Sequence, residues 1–401
     1  MANYKLKDLI EEVISGEWGE ELNDDSIGIK ILRTTNFTNI GKLNLEKEVV
    51  LRRVESDKVA KKHLIAGDTI IEKSGGSPEQ PVGRVVFFEE NELYLCNNFT
   101  SILRPKKDLI EPKYLMYLLF NLYRQRKVLK FQNKTTGIIN LKLDQYLNKT
   151  KVDIPSKENQ LKIVDALDQT FDLIEKRQSQ IEALDKLIQS VFLEMFGDPL
   201  RNKKWKNILF GEVCESKLGK MLDKKNQEDL SQKYYIGNRH VQWGNFQLDD
   251  LPLMGFKDTE LEKYALKKGD ILICEGGEVG RCAIWQWDDK EIYYQKALHR
   301  ARVKSHLATS EFIQYVLYLY ANNGGFKDFT STATIAHLTA AKLNKLPIPL
   351  PPLELQLKFS NRYYAILNQK KVFESGLIEL ENLYQSIFQK AFKGDIPQDQ
   401  V

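Results

Sequence analysis

The sequence predicts an α+β protein with a pseudo-twofold internal repeat: two similar globular domains separated by two long helices that pair as an antiparallel coiled coil. Three observations carry this. The helix start IPSKENQLKI at 154–163 returns as LPPLELQLKF at 350–359, so Gln160 and Gln356 lie 196 positions apart in a chain of 401 residues. A frame of Gly-Asp, Gly-Gly and Val-Gly-Arg precedes each copy. Inside each frame, short β-type runs mix with one helical stretch, without the regular alternation of a βαβ protein.

The first globular domain is expected over 1–155. Leu32-Arg-Thr-Thr-Asn36 and Gly41 open it, followed by Gly67-Asp68, Gly75-Gly76 and Val82-Gly83-Arg84. A helical stretch follows near 112–130, then Thr135-Thr136-Gly-Ile-Ile-Asn-Leu141. The first spacer helix is expected over 156–198. Pro155-Ser156 and Glu158 mark its start, because proline and early acid both suit a helix N-terminus. Ile181, Leu184, Ile188, Val191 and Met195 take the apolar heptad positions, and Gly197 follows as a C-cap signal. At 1.5 Å per residue such a helix runs roughly 55 Å.

The second domain, 199–351, repeats the frame. Ile236-Gly-Asn-Arg-His240 and Gly244 answer the first opening, then come Gly269-Asp270, Gly276-Gly277 and Val279-Gly280-Arg281. The offset between copies falls from 202 to 197, because the loop before Val-Gly-Arg is five residues shorter here. Thr332-Ala-Thr-Ile-Ala-His-Leu338 matches the earlier Thr-rich stretch. In the second spacer, 352–401, Phe373, Leu377, Leu380, Tyr384 and Ile387 form the seam. Ile174, Phe192, Ile378, Leu383 and Phe388 lie off the seam and widen the apolar stripe, so further packing against the domains or another subunit is expected. Folded back, the helices would carry the two domains at opposite ends of a spacer.

Composition narrows the function. Hydrophobic residues make up 42%, enough for real cores, and Lys plus Arg number 59 against 55 Asp plus Glu. That balance permits a nucleic-acid partner without demanding one. Cys96, Cys214, Cys274 and Cys282 form no Cys-x-x-Cys and sit beside no His pair at zinc spacing, so no metal site is expected. His63, His240, His299, His306 and His337 are scattered. The apolar runs 114–123 and 312–320 are too short for a bilayer, and the chain reads as soluble and cytoplasmic.

The same residues contain no enzyme signature. Gly197-Asp198-Pro199-Leu200 and Leu350-Pro-Pro-Leu353 lack the acid, two prolines and aromatic in series that an amino-methyltransferase uses. Asp68 is followed by adjacent Glu72-Lys73 rather than Glu-x-Lys, and the second copy has Cys274-Glu275 there, which disfavours a nuclease. No Gly-Lys-Ser/Thr phosphate loop occurs.

This duplicated order closely resembles a specificity subunit of a type I DNA restriction-modification system, over nearly the whole chain. The two helix starts, the long helices and the repeated frame carry the resemblance. It implies that each globular part is a target-recognition domain reading one half of a split double-stranded DNA target. It also implies that the helices space the domains and dock two methyltransferase subunits, to which two restriction/translocase subunits can add. No catalysis and no cofactor would belong to the chain itself; S-adenosylmethionine, ATP and magnesium would belong to the partners. The competing expectations are a coiled-coil adaptor without sequence-specific DNA binding and, further off, a degenerate enzyme.

DNA contact needs cations for phosphates and polar side chains for base edges. In the first domain the candidates are Arg33, Thr34, Thr35, Asn36, Lys73, Arg84, Lys134, Thr135 and Thr136. In the second they are Asn238, Arg239, His240, Glu275, Arg281, His299, Arg300, Arg302, Thr332, Thr334 and His337. A structural alternative attends each: Val-Gly-Arg can be a turn whose arginine binds a carbonyl, and Thr-rich stretches often cap or turn.

Overall fold

The computed structural model describes residues 2–22, 28–135, 138–222, 230–329 and 337–393. Two compact units emerge: residues 1–176 with 377–401, and residues 177–376. Each therefore contains one globular head together with part of each long helix, Lys157–Phe196 and Leu353–Lys393.

Three sheets recur with their strands in the same order in both heads. In the first, Ile10–Ser15, Thr100–Pro105, Thr69–Glu72 and Val85–Phe87 form an antiparallel sheet, neighbours in that sequence. In the second, Cys214–Leu218, Leu298–Val303, Ile271–Cys274 and Cys282–Ile284 do the same. A three-stranded sheet accompanies each, with one antiparallel and one parallel pairing. It is Val50–Arg52, Ile29–Leu32, Tyr94–Cys96 in the first head and Leu253–Phe256, Ser231–Ile236, Tyr293–Tyr294 in the second. A two-stranded ribbon then closes each head onto its exit, Ala2–Lys5 with Lys151–Ile154 and Asn207–Leu209 with Pro347–Pro349. Topology thus repeats even where sequence does not.

The frame motifs act in this scaffold. All four residues of Thr69–Glu72 and of Ile271–Cys274 are buried, as in a strand covered on both faces. The aspartate just before each strand closes the turn and holds an arginine on the neighbouring strand of the sheet. Asp68 accepts the Ile65 N–H at 2.9 Å and binds Arg104 through Nε and Nη2, both at 3.0 Å. Asp270 accepts the Lys267 N–H at 2.8 Å and binds Arg302 through the same two nitrogens at 2.7 Å. The Val-Gly-Arg glycines have φ of 109° and 84°, and a Cβ there would meet Val128 at 2.9 Å or Phe326 at 2.2 Å. Glycine is needed at both positions for space as well as for backbone angle.

The duplicated helix start is a clasp. Gln160 is buried; its Oε1 accepts the Glu111 N–H at 2.8 Å, and its Nε2 donates to the carbonyls of Leu109 and Pro155. Gln356 repeats this with the Thr309 N–H at 3.1 Å and the carbonyls of Leu307 and Pro351. Glu111 and Thr309 are the caps of the head helices Pro112–Arg124 and Ser310–Asn322. One amide thus ties head helix, exit loop and long helix together.

Beyond the clasp, the long helices pack into the cores of the heads. In the first unit Ile163, Leu167, Phe171 and Ile174 join Tyr384 and Phe388 beside the head helix, with Phe171 and Tyr384 ring centroids 6.0 Å apart. Tyr117 Oη donates to Asp168 at 2.5 Å and Lys113 pairs with it at 2.8 Å. In the second unit Ile188, Phe192 and Phe196 meet Phe312 and Phe359. There Arg177 lies over Phe373, Lys370 binds Asp185 at 2.6 Å, and Phe192 meets Phe359, so the helices run antiparallel.

Of the predicted seam, Ile188 and Tyr384 are buried, while Val191, Met195, Leu377, Leu380 and Ile387 are partly buried against the two cores. Ile181, Leu184 and Phe373 are half-buried. The residues off the seam divide. Ile174, Phe192 and Phe388 are buried against the heads, whereas Ile378 and Leu383 remain 60% and 49% exposed.

Candidate nucleic-acid interface

A shared set of hydrogen bonds organises the surface-facing end of each head. The 3-10 turns Thr34–Asn36 and Asn238–His240 are closed by their last side chain. Asn36 Oδ1 accepts the Arg33 N–H at 3.0 Å, and His240 Nδ1 accepts the Gly237 N–H at 2.9 Å. The other ring nitrogen, Nε2, lies 3.1 Å from the Asp250 carbonyl and 3.0 Å from Arg239 Nε. The Val-Gly-Arg arginines reach these turns: Arg84 Nη2 donates to the Thr34 carbonyl at 3.3 Å, and Arg281 Nη2 to the Asn238 carbonyl at 3.0 Å.

These bonds settle what several candidates do. Arg84 forks onto Glu72 with two 3.0 Å contacts, and Arg281 pairs with Glu278 at 3.1 Å. Arg302 is held by Asp270, and Arg300, 3% exposed, leans on the Ala265 carbonyl and Glu215. His299 is fully buried and its Nε2 meets the Leu338 carbonyl at 2.9 Å. Asn36 and His240 are buried turn closers. The sequence offers all seven as candidates for DNA contact, each with a structural alternative; here each is bonded within its own head. Burial also holds both imidazoles below the usual histidine range, against the opposing pull of their carbonyl partners, so they carry no charge for phosphates.

Other candidates keep free chemistry or lie elsewhere. Thr35 is exposed on its 3-10 turn and His337 is exposed in a loop. Arg33 Nη2 makes long contacts to Glu48, and Arg239, exposed, pairs with Asp250 at 3.1 Å. Asn238 Nδ2 donates to the Gly276 carbonyl at 2.9 Å, while its Oδ1 has no partner. Thr34 lends its backbone to Arg84. Lys134 and Thr135 sit on the strand Gln132–Thr135, paired with Ile138–Leu141. Thr136, Thr332 and Thr334 lie outside the described residues.

Lys73 and Glu275 stand apart. Both are half-buried and directly follow an inner strand of their four-stranded sheet, Thr69–Glu72 or Ile271–Cys274. The Lys73 ammonium donates to the Ser15 hydroxyl and meets no carboxylate among the described residues, and burial lowers its proton affinity. The Glu275 carboxylate has no hydrogen bond or ion pair among the described residues, although its charge is felt by buried His299.

Sequence reasoning missed two functions of the repeat. The aspartates of Gly-Asp and their partners Arg104 and Arg302 form the buried pairs of the frame, and the duplicated glutamines form the clasps. The signal was present: both sets recur in equivalent places in the two halves. Among the described residues no group of three or more His, Cys, Asp or Glu is placed to hold a metal ion, and no helix is long and apolar enough to cross a membrane.

Comparison with known proteins agrees with this duplicated build. The profile described as "Type I restriction modification DNA specificity domain" matches twice, over residues 1–183 and 202–380. The putative type I restriction enzyme MjaX specificity subunit of Methanocaldococcus jannaschii is 25% identical, over 97% of this chain and 90% of its own length. The EcoKI specificity subunit of Escherichia coli is 22% identical, over 94% and 83%. Among solved structures, a chain from a study of complex assembly and conformational transition of the type I restriction-modification system aligns with a TM-score of 0.60. It is 17% identical, with 98% of both chains covered. The type I S subunit of M. genitalium gives 0.58 at 15% identity, covering 98% and 96%. The fold is therefore shared with these subunits, and each profile match covers one head together with part of the long helix that follows it. The chain belongs to the type I restriction-modification DNA specificity family and is a non-catalytic specificity subunit that recognises a DNA target.

Proposed function

We propose that the two heads each read one part of a bipartite double-stranded DNA target. Residues 1–155 and 199–351 serve as recognition domains, and 156–198 and 352–401 as spacers that dock two methyltransferase subunits; restriction subunits add to that core. S-adenosylmethionine, ATP and magnesium enter with those partners. The observation that carries this reading is that one hydrogen-bonded frame appears twice while the side chains at its open end differ, Lys73 in one head and Glu275 in the other. Identical frames with unlike tips suit two unlike half-sites.

Support for docking comes from apolar side chains that the helices leave in solvent, Leu173 and Ile378 in one unit and Leu187 and Val372 in the other, each at least 44% exposed. A solvated helix gains nothing from them, and a partner that covers them would remove apolar surface from water.

The test is a titration of the chain with its methyltransferase against duplexes that keep both half-sites and change only the base pairs between them. One spacing should bind tightly, and a change of a few base pairs should remove that binding. Affinity that ignores spacing, or salt-independent weak binding, would instead favour an adaptor without sequence reading.

A further inference from the structure

Backbone hydrogen bonds superpose the two heads residue by residue at one point. In the first head, Glu72 N–H donates to the Arg84 carbonyl at 2.8 Å, Lys73 N–H to the Phe99 carbonyl at 2.8 Å, and Leu141 N–H to the Lys73 carbonyl at 2.8 Å. In the second, Cys274 N–H donates to Arg281 at 2.8 Å, Glu275 N–H to Ala297 at 3.0 Å, and Leu338 N–H to Glu275 at 2.8 Å. Three bonds in each head thus fix the same backbone site, and fix where its side chain leaves the sheet.

The chemistry placed there is opposite. The first head presents an ammonium that donates to a serine hydroxyl and has no other bonded partner among the described residues. Beside it stand Phe99, 45% exposed, and Ser74, whose Oγ donates to Asn140 at 2.7 Å. The second head presents a carboxylate without a bonded partner among the described residues, with Gly276 in place of serine, Ala297 in place of Phe99 and exposed His337 in place of Asn140. The arginines whose backbones bond beside these sites already face carboxylates, Arg84 that of buried Glu72 and Arg281 that of Glu278.

We infer that Lys73 and Glu275 are equivalent specificity-determining residues: Lys73 donates to the O6/N7 edge of a guanine in one half-site, and Glu275 accepts from an exocyclic amino group, of cytosine or adenine, in the other. This rests on the reading of the heads as two DNA readers. The physical case is selection by hydrogen-bond polarity. In the major groove guanine offers two adjacent acceptors, while cytosine and adenine offer an amino donor. A lysine cannot accept and an ionised glutamate cannot donate. A half-buried, backbone-fixed carboxylate opposite an acceptor would lose its hydration with no return, which rejects the wrong base. Phe99 supplies an apolar face beside Lys73, suited to a thymine methyl in the adjoining step.

The experiment expresses the full chain with its methyltransferase in cells and reads the methylated motif across the genome. It is paired with duplex titrations of the purified complex at two salt concentrations. Lys73→Gln should relax one base pair of one half-site and leave the other half-site as it was. Glu275→Gln should relax one base pair of the opposite half-site, and Glu275→Lys should move it towards guanine. Affinity for the original base should drop roughly ten- to hundred-fold in each case. The two glutamine variants are close in size to what they replace, so they carry the test if a charge reversal fails to fold. A motif unchanged in every position overturns the inference. So does uniform weakening over all sequences with a shallower salt dependence, which is the mark of a phosphate contact. A wild-type complex without any sequence preference overturns the function beneath it; a wild-type preference that survives both substitutions overturns only this assignment.

Discussion

Replacing Gln160 by alanine should loosen the first head from its helix and leave the second head intact. The side chain is 1% exposed and makes three hydrogen bonds, to the Glu111 N–H and to the carbonyls of Leu109 and Pro155. Alanine strands one N–H and two carbonyls. A stranded buried group costs about 1–3 kcal/mol, and the carbonyls recover part of this where water reaches them. With the methylenes lost from a closed site, the total is about 3–5 kcal/mol. Hydrogen exchange on the full chain reads the effect locally. The Glu111 amide and those of the helix that follows it should lose protection in Gln160→Ala, with 307–313 unchanged, and Gln356→Ala should show the converse. Gln160→Glu adds a sign test. It keeps the acceptor for Glu111 but turns a carboxylate towards two carbonyl oxygens, so burial raises its folded-state proton affinity. Stability should then be present at acidic pH and lost as pH rises towards neutrality. Equal protection in wild type and Gln160→Ala, or a destabilisation shared by both heads, would refute the clasp.

Two further expectations follow from the frame. Asp270→Asn removes the partner of Arg302 and weakens the turn bond to Lys267, which should cost about 3 kcal/mol by urea midpoint while leaving the methylated motif unchanged. A changed motif with normal stability would return Arg302 to the DNA side. Acidification should affect the second unit selectively. His240 and His299 are held below their ordinary range by burial, so the unfolded chain takes up protons first; stability is full above about pH 6.5 and falls as pH drops below it. The equivalent positions in the first head are Asn36 and Ser101, which do not titrate. Hydrogen exchange near pH 7 and near pH 5 checks this, and His240→Asn with His299→Ser should flatten the difference.

What was legible in the sequence is what depends on near neighbours. Helix starts, heptads and glycine stops are written within a few residues, so the two long helices and the repeat could be read directly. The Asp68–Arg104 and Asp270–Arg302 pairs could not, because sheet pairing brings their partners together across dozens of residues. The apolar stripe was readable, but not which part of it the heads cover. Phe388 and Leu383 look alike by periodicity, and only packing buries one and exposes the other.

The DNA candidates were harder for a related reason. An arginine's charge invites a phosphate, yet Arg84, Arg281 and Arg302 already face carboxylates. Duplication offers an internal control for this ambiguity. Both heads must fold in the same way, so residues retained in both, such as the Gly-Asp turn, its arginine and the clasp glutamine, answer to the fold. The heads need not read the same bases, so a fixed backbone site with unlike side chains is free to answer to the target. By that criterion Arg84 and Arg281 sort with the scaffold although they are cations, and the proposed reading role falls to Glu275 although it is an anion. Net charge would have ranked them the other way; geometry and repeat together reverse the order.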